Sequence, residues 1–190
     1  MNESRVYVWD RFIRFYHWSQ ALLFVLLYLS ATYEFDDIHF LLAYLLTALL
    51  AARLIWGFIS TGYGRFSSFL FSLSETISYV KGMLAGHTKR YLGHNPIGAW
   101  SIYLFLSLLS IMVVTGSVML TWGEYEGPLW AAGVDFADST AHICRWLHET
   151  STDLLLIMVA LHLGGVAFSS IKHHENLVAA MWHGKKKGED

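Results

Sequence analysis

Cysteine is almost missing from this chain: Cys144 is the single one, which excludes an internal disulfide framework. No Cys-x-x-Cys-His occurs, so covalent attachment of a cofactor through thioethers is excluded as well. His-Glu-x-x-His is absent too, because His148-Glu149 lacks the second histidine, and this argues against a zinc-protease helix. Charge is scarce, at 15% of 190 residues with a formal net charge of −2, and no nucleic-acid partner is expected. The chain has no internal repeat and no low-complexity segment beyond the Lys185–Lys187 run, which reads as a solvated positive end.

What the chain has instead is apolar surface. At 55% hydrophobic and 16% aromatic content it is richer in such side chains than an ordinary soluble domain, and a bilayer is the expected solvent. Crossing hydrocarbon takes about 20 mainly apolar residues per helix. Four stretches qualify, at 14–33, 38–60, 97–121 and 146–170. The expected fold is therefore all-α, an integral membrane four-helix bundle forming one domain over 1–190. Arg5, Arg11 and Arg14 precede an apolar run too long for a signal peptide and without a cleavage site, so it is read as a retained first helix. Between spans two and three, residues 65–92 place Phe66, Phe69, Leu70, Leu73, Ile77, Val80 and Leu84 at helical spacing among polar residues. That pattern predicts an amphipathic helix at the cytoplasmic interface.

Basic residues set the orientation. They flank the start of span one, the second connection (Arg53, Arg65, Lys81, Lys89, Arg90) and the end of span four (Lys172 and Lys185 to Lys187), leaving Arg145 for the other side. Both termini should be cytoplasmic in a bacterial inner membrane. The opposite face carries Glu34, Asp36, Asp37, Glu124, Glu126, Asp135 and Asp138, an acidic surface able to dock a basic partner. Trp18, Trp56, Trp100, Trp122 and Trp146 fall near span ends, where the indole N–H can reach the headgroups.

Ten histidines in so apolar a chain call for a reason, since an ionisable ring in hydrocarbon is costly. His17 and His162 share a depth near the cytoplasmic side, and His39 and His148 share one near the external side. His148 and His162 are 14 residues apart, nearly four turns, so they point to one face with about 21 Å between α-carbons. Each same-depth pair can clamp one planar macrocycle. Neutral imidazole is a good iron ligand, and a porphyrin held between two of them has no open axial position. Such a heme carries electrons. His142 is an alternative external ligand that faces elsewhere on its helix; His87, His173, His174 and His183 read as surface. His94 sits in Gly93-His94-Asn95-Pro96, a polar start to span three with Asn at the cap and Pro in the first turn, and reads as structural.

The pieces Val8-Trp9-Asp10-x-x-x-Arg14-x-x-His17-Trp18, Ile38-His39, Arg53-Leu54-Ile55-Trp56-Gly57-Phe58, Leu92-Gly93-His94-Asn95-Pro96-Ile97-Gly98, His148-Glu149, His162-x-Gly164-Gly165-Val166 and Glu175-Asn176-Leu177-Val178-x-Ala180-Met181 are similar to those of the bacterial di-heme cytochrome b561 family. That family is related to the b-type cytochrome subunits of nickel-iron hydrogenases. The resemblance covers nearly the whole chain and implies two b hemes with His17, His39, His148 and His162 at the ligand positions. It further implies electron transfer between quinone and a redox partner, such as a c-type cytochrome or a hydrogenase subunit. A stand-alone quinone-linked oxidoreductase acting on a small molecule such as superoxide is the alternative, and whether the chain is an enzyme by itself stays open, as does self-association.

Supporting residues are fewer. Arg53, 14 residues beyond His39, should share its face at the depth of the cytoplasmic heme, where it can pair with a propionate or snorkel to headgroups. Arg14, one turn before His17, is a second candidate. Gly116, Gly164 and Gly165 leave room for a porphyrin or a neighbouring helix. Glu149 and Asp153 stay unassigned.

Overall fold

The computed structural model describes residues 5–188. A short strand β1 (Arg5–Tyr7) is followed by helices α1 (Arg11–Thr32), α2 (Asp36–Ile59), α3 (Leu73–Leu84), α4 (Pro96–Glu124), α5 (Gly127–Ala131), α6 (Asp138–Lys172) and α7 (Leu177–His183), and then by β2 (Lys185–Lys187). Helices α1, α2, α4 and α6 are long and apolar enough to cross a membrane. Many of their apolar side chains face outward, among them Leu22, Leu41, Ile55, Val114, Ile157 and Leu163. In water so much exposed hydrocarbon would drive aggregation, whereas in lipid it is the ordinary exterior of a helical bundle.

The helix ends explain where each helix begins. Asp10 caps α1 by accepting from the Ile13 N–H at 2.8 Å, and its other oxygen accepts the Trp56 indole N–H at 3.1 Å, tying the start of α1 to the end of α2. Asp36 and Asp37 occupy the first turn of α2, where the positive end of the helix dipole favours them. Asn95 accepts from the Gly98 N–H at 2.8 Å and Pro96 opens α4, as the polar start to span three requires. Ser72 and Glu75 form a reciprocal capping box at α3. Gly57 faces the Phe66 ring, which a Cβ would meet at 2.2 Å, so that close approach needs a glycine.

Two compact units result, one formed by Met1–Ser101 with His162–Asp190 and one by Ile102–Leu161. In the first, α1 packs along α2, and Val8, Trp9 and Ile13 form a buried cluster against Phe12, Trp56, Tyr63, Leu92 and Met181. The second contains most of α4, α5 and the first part of α6, with Leu106, Leu109, Val118 and Leu155 buried.

Several details depart from the expectations. The amphipathic segment 65–92 is α-helical only over α3; Phe66–Phe69 within it, like Gly62–Gly64 just before it, is a single 3-10 turn. Helix α6 starts at Asp138 rather than at 146, because a hydropathy pattern sees only the apolar part of a helix that continues into polar sequence. Three indole N–H groups find protein acceptors rather than headgroups: Trp56 on Asp10, Trp100 on Thr76 at 3.1 Å and Trp122 on Asp138 at 2.9 Å. In the lysine run Lys185 and Lys187 are exposed, as a solvated end requires, but Lys186 is not. β2 pairs antiparallel with β1, and Lys186, 8% exposed, donates to the Tyr91 carbonyl at 3.2 Å. Burial pushes its ammonium below the ordinary lysine range.

Candidate functional site

In the first unit, His17 on α1 and His162 on α6 meet with ring centroids 6.2 Å apart and planes inclined by 49°. A first-row metal sits about 2 Å from an imidazole nitrogen and the ring centre about 1 Å beyond it, so two rings ligating one ion from opposite sides have centroids about 6 Å apart. The observed separation fits one iron between two imidazoles. The His17 Nδ1 is buried and has no hydrogen-bond partner among the described residues, while the Trp18 ring stands edge-on to His17 at 5.1 Å.

His39, near the start of α2, is held differently. Its Nδ1 lies 3.1 Å from the Leu27 carbonyl and 3.2 Å from the Ser30 hydroxyl. A carbonyl only accepts, so Nδ1 carries the proton and Nε2 keeps its lone pair for a ligand. Ser30, buried in α1, sits nine residues before His39 in sequence and also donates to the Leu27 carbonyl at 3.0 Å.

In the second unit, His148 on α6 repeats the device. Its Nδ1 is 3.0 Å from the Thr115 hydroxyl, which itself donates to the Ile111 carbonyl at 2.7 Å. With that proton committed, Thr115 accepts from Nδ1–H and the lone pair again resides on Nε2. Gly116 makes room for this ring: a Cβ there would lie 3.3 Å from the His148 Cε1. Its role is thus to admit the histidine. Gly164 and Gly165 face open space, and His142 is exposed against Trp122 at 5.7 Å.

The two arginine candidates separate. Arg53 is 4% exposed, its guanidinium 4.8 Å over the Phe66 ring and 5.9 Å over the Tyr16 ring, so it is enclosed by protein rather than reaching for headgroups. Arg14 donates to the Trp182 carbonyl at 2.6 Å and to the Tyr7 hydroxyl at 3.2 Å, and its buried Nε has no partner among the described residues. His94 lies between the Trp9 and Phe69 rings, at 4.7 and 4.9 Å. Burial, reinforced by the Lys186 and Arg53 charges, pushes its pKa down to about 3, so it is neutral in service.

Among the described residues no three His, Cys, Asp or Glu side chains converge on a point that could hold an ion. Paired imidazoles supply two axial donors and suit a metal that brings its own equatorial ring. The Nδ1–H tautomers of His39 and His148 and the His17–His162 spacing are what axial ligation of heme asks of these residues. Ser30 and Thr115 were missed in the sequence, where a hydroxyl inside a span looks like any helix-packing residue; each lies on a different helix from its histidine and meets it only when the helices pack.

Comparison with known proteins agrees with this chemistry. The family model for prokaryotic cytochrome b561 matches residues 8–184. Among curated proteins, the chain is similar to the "Probable Ni/Fe-hydrogenase B-type cytochrome subunit" of Cupriavidus necator, at 22% identity over 97% of this chain and 88% of that protein. The proteins of the same name from Rhizobium leguminosarum bv. viciae and Azotobacter chroococcum mcd 1 are each 23% identical over all of this chain, across 92% and 91% of their own lengths.

Proposed function

Because the chain belongs to the prokaryotic cytochrome b561 family, a family of b-type heme proteins of the membrane, we propose that it is a di-heme electron carrier in which His17 with His162, and His39 with His148, each hold one heme b. The observation that carries this reading is the 6.2 Å separation of the His17 and His162 rings. A heme held by His17 with His162, or by His39 with His148, would supply one-electron chemistry, and two imidazole ligands from the protein would leave it to carry electrons rather than bind a substrate. The protein's part is to hold the imidazoles. Ser30, the Leu27 carbonyl and Thr115 fix tautomer and ring direction at His39 and His148, and this outer shell tunes ligand basicity. Enclosure and a permanent charge support Arg53 as a propionate partner; for Arg14 such a contact would come through Nε, the one guanidinium nitrogen without a protein partner among the described residues.

The whole chain acts as one cytochrome domain in a bacterial inner membrane, with both termini cytoplasmic and α3 lying along the cytoplasmic interface. Exposed Leu70, Leu73, Ile77 and Leu84 would then meet lipid. Electrons pass between quinone and a redox partner. The names of the relatives favour a hydrogenase as that partner, and the acidic loops would favour a basic docking face, as on many c-type cytochromes. Protein purified from heme-replete cells should show a reduced b-type absorption band and two hemes per chain, and isolation from native membranes with a hydrogenase or a c-type cytochrome attached would identify the partner. Fewer than two hemes would remove the di-heme reading.

A further inference from the structure

The first and last described strands pair near Arg14, one turn before His17. β1 and β2 pair with Val6 opposite Lys186, and the Gly184 carbonyl accepts both the Val8 N–H at 2.8 Å and the Trp9 N–H at 3.1 Å. Gly184 has φ +85°, and a Cβ there would stand 2.6 Å from the Trp9 carbonyl oxygen, so a side chain fits only if backbone moves. Lys186 is anchored on Tyr91, and Arg90, ion-paired with Glu175, donates to the Lys187 carbonyl at 2.6 Å. Burial works to raise the Glu175 carboxyl, but the Arg90 hydrogen bond and the Lys186 and Arg90 charges outweigh it and hold it below its ordinary value.

This clasp touches α1 on both sides of His17. Arg14, one turn earlier, donates to the Trp182 carbonyl and the Tyr7 hydroxyl. The Trp182 ring meets Trp18 edge-on at 5.8 Å, and Trp18 meets His17 edge-on at 5.1 Å. Trp182 belongs to α7, which begins at Leu177 shortly after α6, the helix of His162, ends at Lys172. The His17 Nδ1 has no hydrogen-bond partner among the described residues, so its rotation is left to ring packing, where His39 and His148 have hydroxyls.

We propose that the clasp orients the His17–His162 pair: Trp182 and Gly184 are positioning residues that set the plane of the His17 ring through Trp18. The inference rests on the reading that this pair holds a heme. The angle between two axial imidazole planes governs the anisotropy of a low-spin ferric EPR signal, a property that loss of general stability leaves alone in the surviving protein.

The experiment uses purified holoprotein and reads hemes per chain, the ferric EPR spectrum and both reduction potentials; the signal lost in His162→Ala marks the heme concerned. Trp182→Leu is expected to keep two hemes while shifting that one signal and its potential. Gly184→Val should shift the same signal further or lose that heme alone. Gly133→Ala, at another left-handed glycine with φ +75° and open space around it, should move neither. A Trp182→Leu protein with both signals and both potentials at wild-type values overturns the proposal, and so does a Gly184→Val protein in which both signals move together. If Gly184→Val fails to accumulate, Trp182→Leu decides. Fewer than two hemes in the wild type would sink the ligand reading itself, a failure visible before any variant is compared.

Discussion

His39 and His148 are oriented by hydroxyls; His17 is oriented by rings. At the first two, a hydrogen bond from Nδ1 selects the tautomer and aims Nε2, and the partners Ser30, Leu27 and Thr115 belong to transmembrane helices. At His17 the Nδ1 is buried without a hydrogen bond among the described residues, and Trp18 and the chain-end clasp stand around it. On the proposed ligand reading, one protein would use two ways of holding the same ligand type. A hydrogen-bonded imidazole is a stronger donor and lowers the potential of its iron, so the His39–His148 heme should have the lower potential of the two.

The ligands themselves give the largest effects that can break this comparison. His17→Ala or His162→Ala should cost one heme and leave the other spectrally intact, and His39→Ala or His148→Ala should cost the second, each read by heme content per chain. Next comes Thr115→Val, which replaces the acceptor of the His148 Nδ1–H by a methyl. Outer-shell losses of this kind cost about 10- to 100-fold in metal affinity. Two hemes should remain at saturating heme, one with a raised potential in a redox titration; an unchanged potential would erase the distinction between the two ligand sets. Ser30→Ala should do less, because the Leu27 carbonyl still receives the His39 Nδ1–H.

Gly116→Ala sharpens the comparison further. Its Cβ would lie 3.3 Å from His148, so the ring must give by a few tenths of an ångström, and a small shift confined to the EPR signal of that heme is expected. The smallest effect concerns acid. His94 has a folded pKa of about 3 against 6.5 for an unperturbed histidine, so between those values the unfolded chain binds a proton that the folded one does not. Stability is full above about pH 6.5 and falls as the pH drops from there toward 3. His94→Gln, which cannot titrate, should flatten the dependence of the thermal midpoint on pH in that window.

Four membrane-crossing helices were legible because the bilayer imposes a length and a composition that few other structures share. The cap at Asn95 and Pro96 was legible for a similar reason, since capping is local chemistry. His17 and His162 stood out because a titratable ring in an apolar run is rare, and depth along a helix is simple arithmetic. The hydroxyls that hold His39 and His148 were not, because Ser30 and Thr115 become partners only once helices are packed. Lys186 misled outright: three lysines in a row look solvated until a strand from the opposite end of the chain pairs with them and one is buried.

Counting heme in double variants tests the pairing of the four histidines most directly. His17→Ala/His162→Ala should retain one heme per chain and His17→Ala/His39→Ala none. The reverse, with the first pair of changes removing both hemes and the second leaving one, would contradict the account.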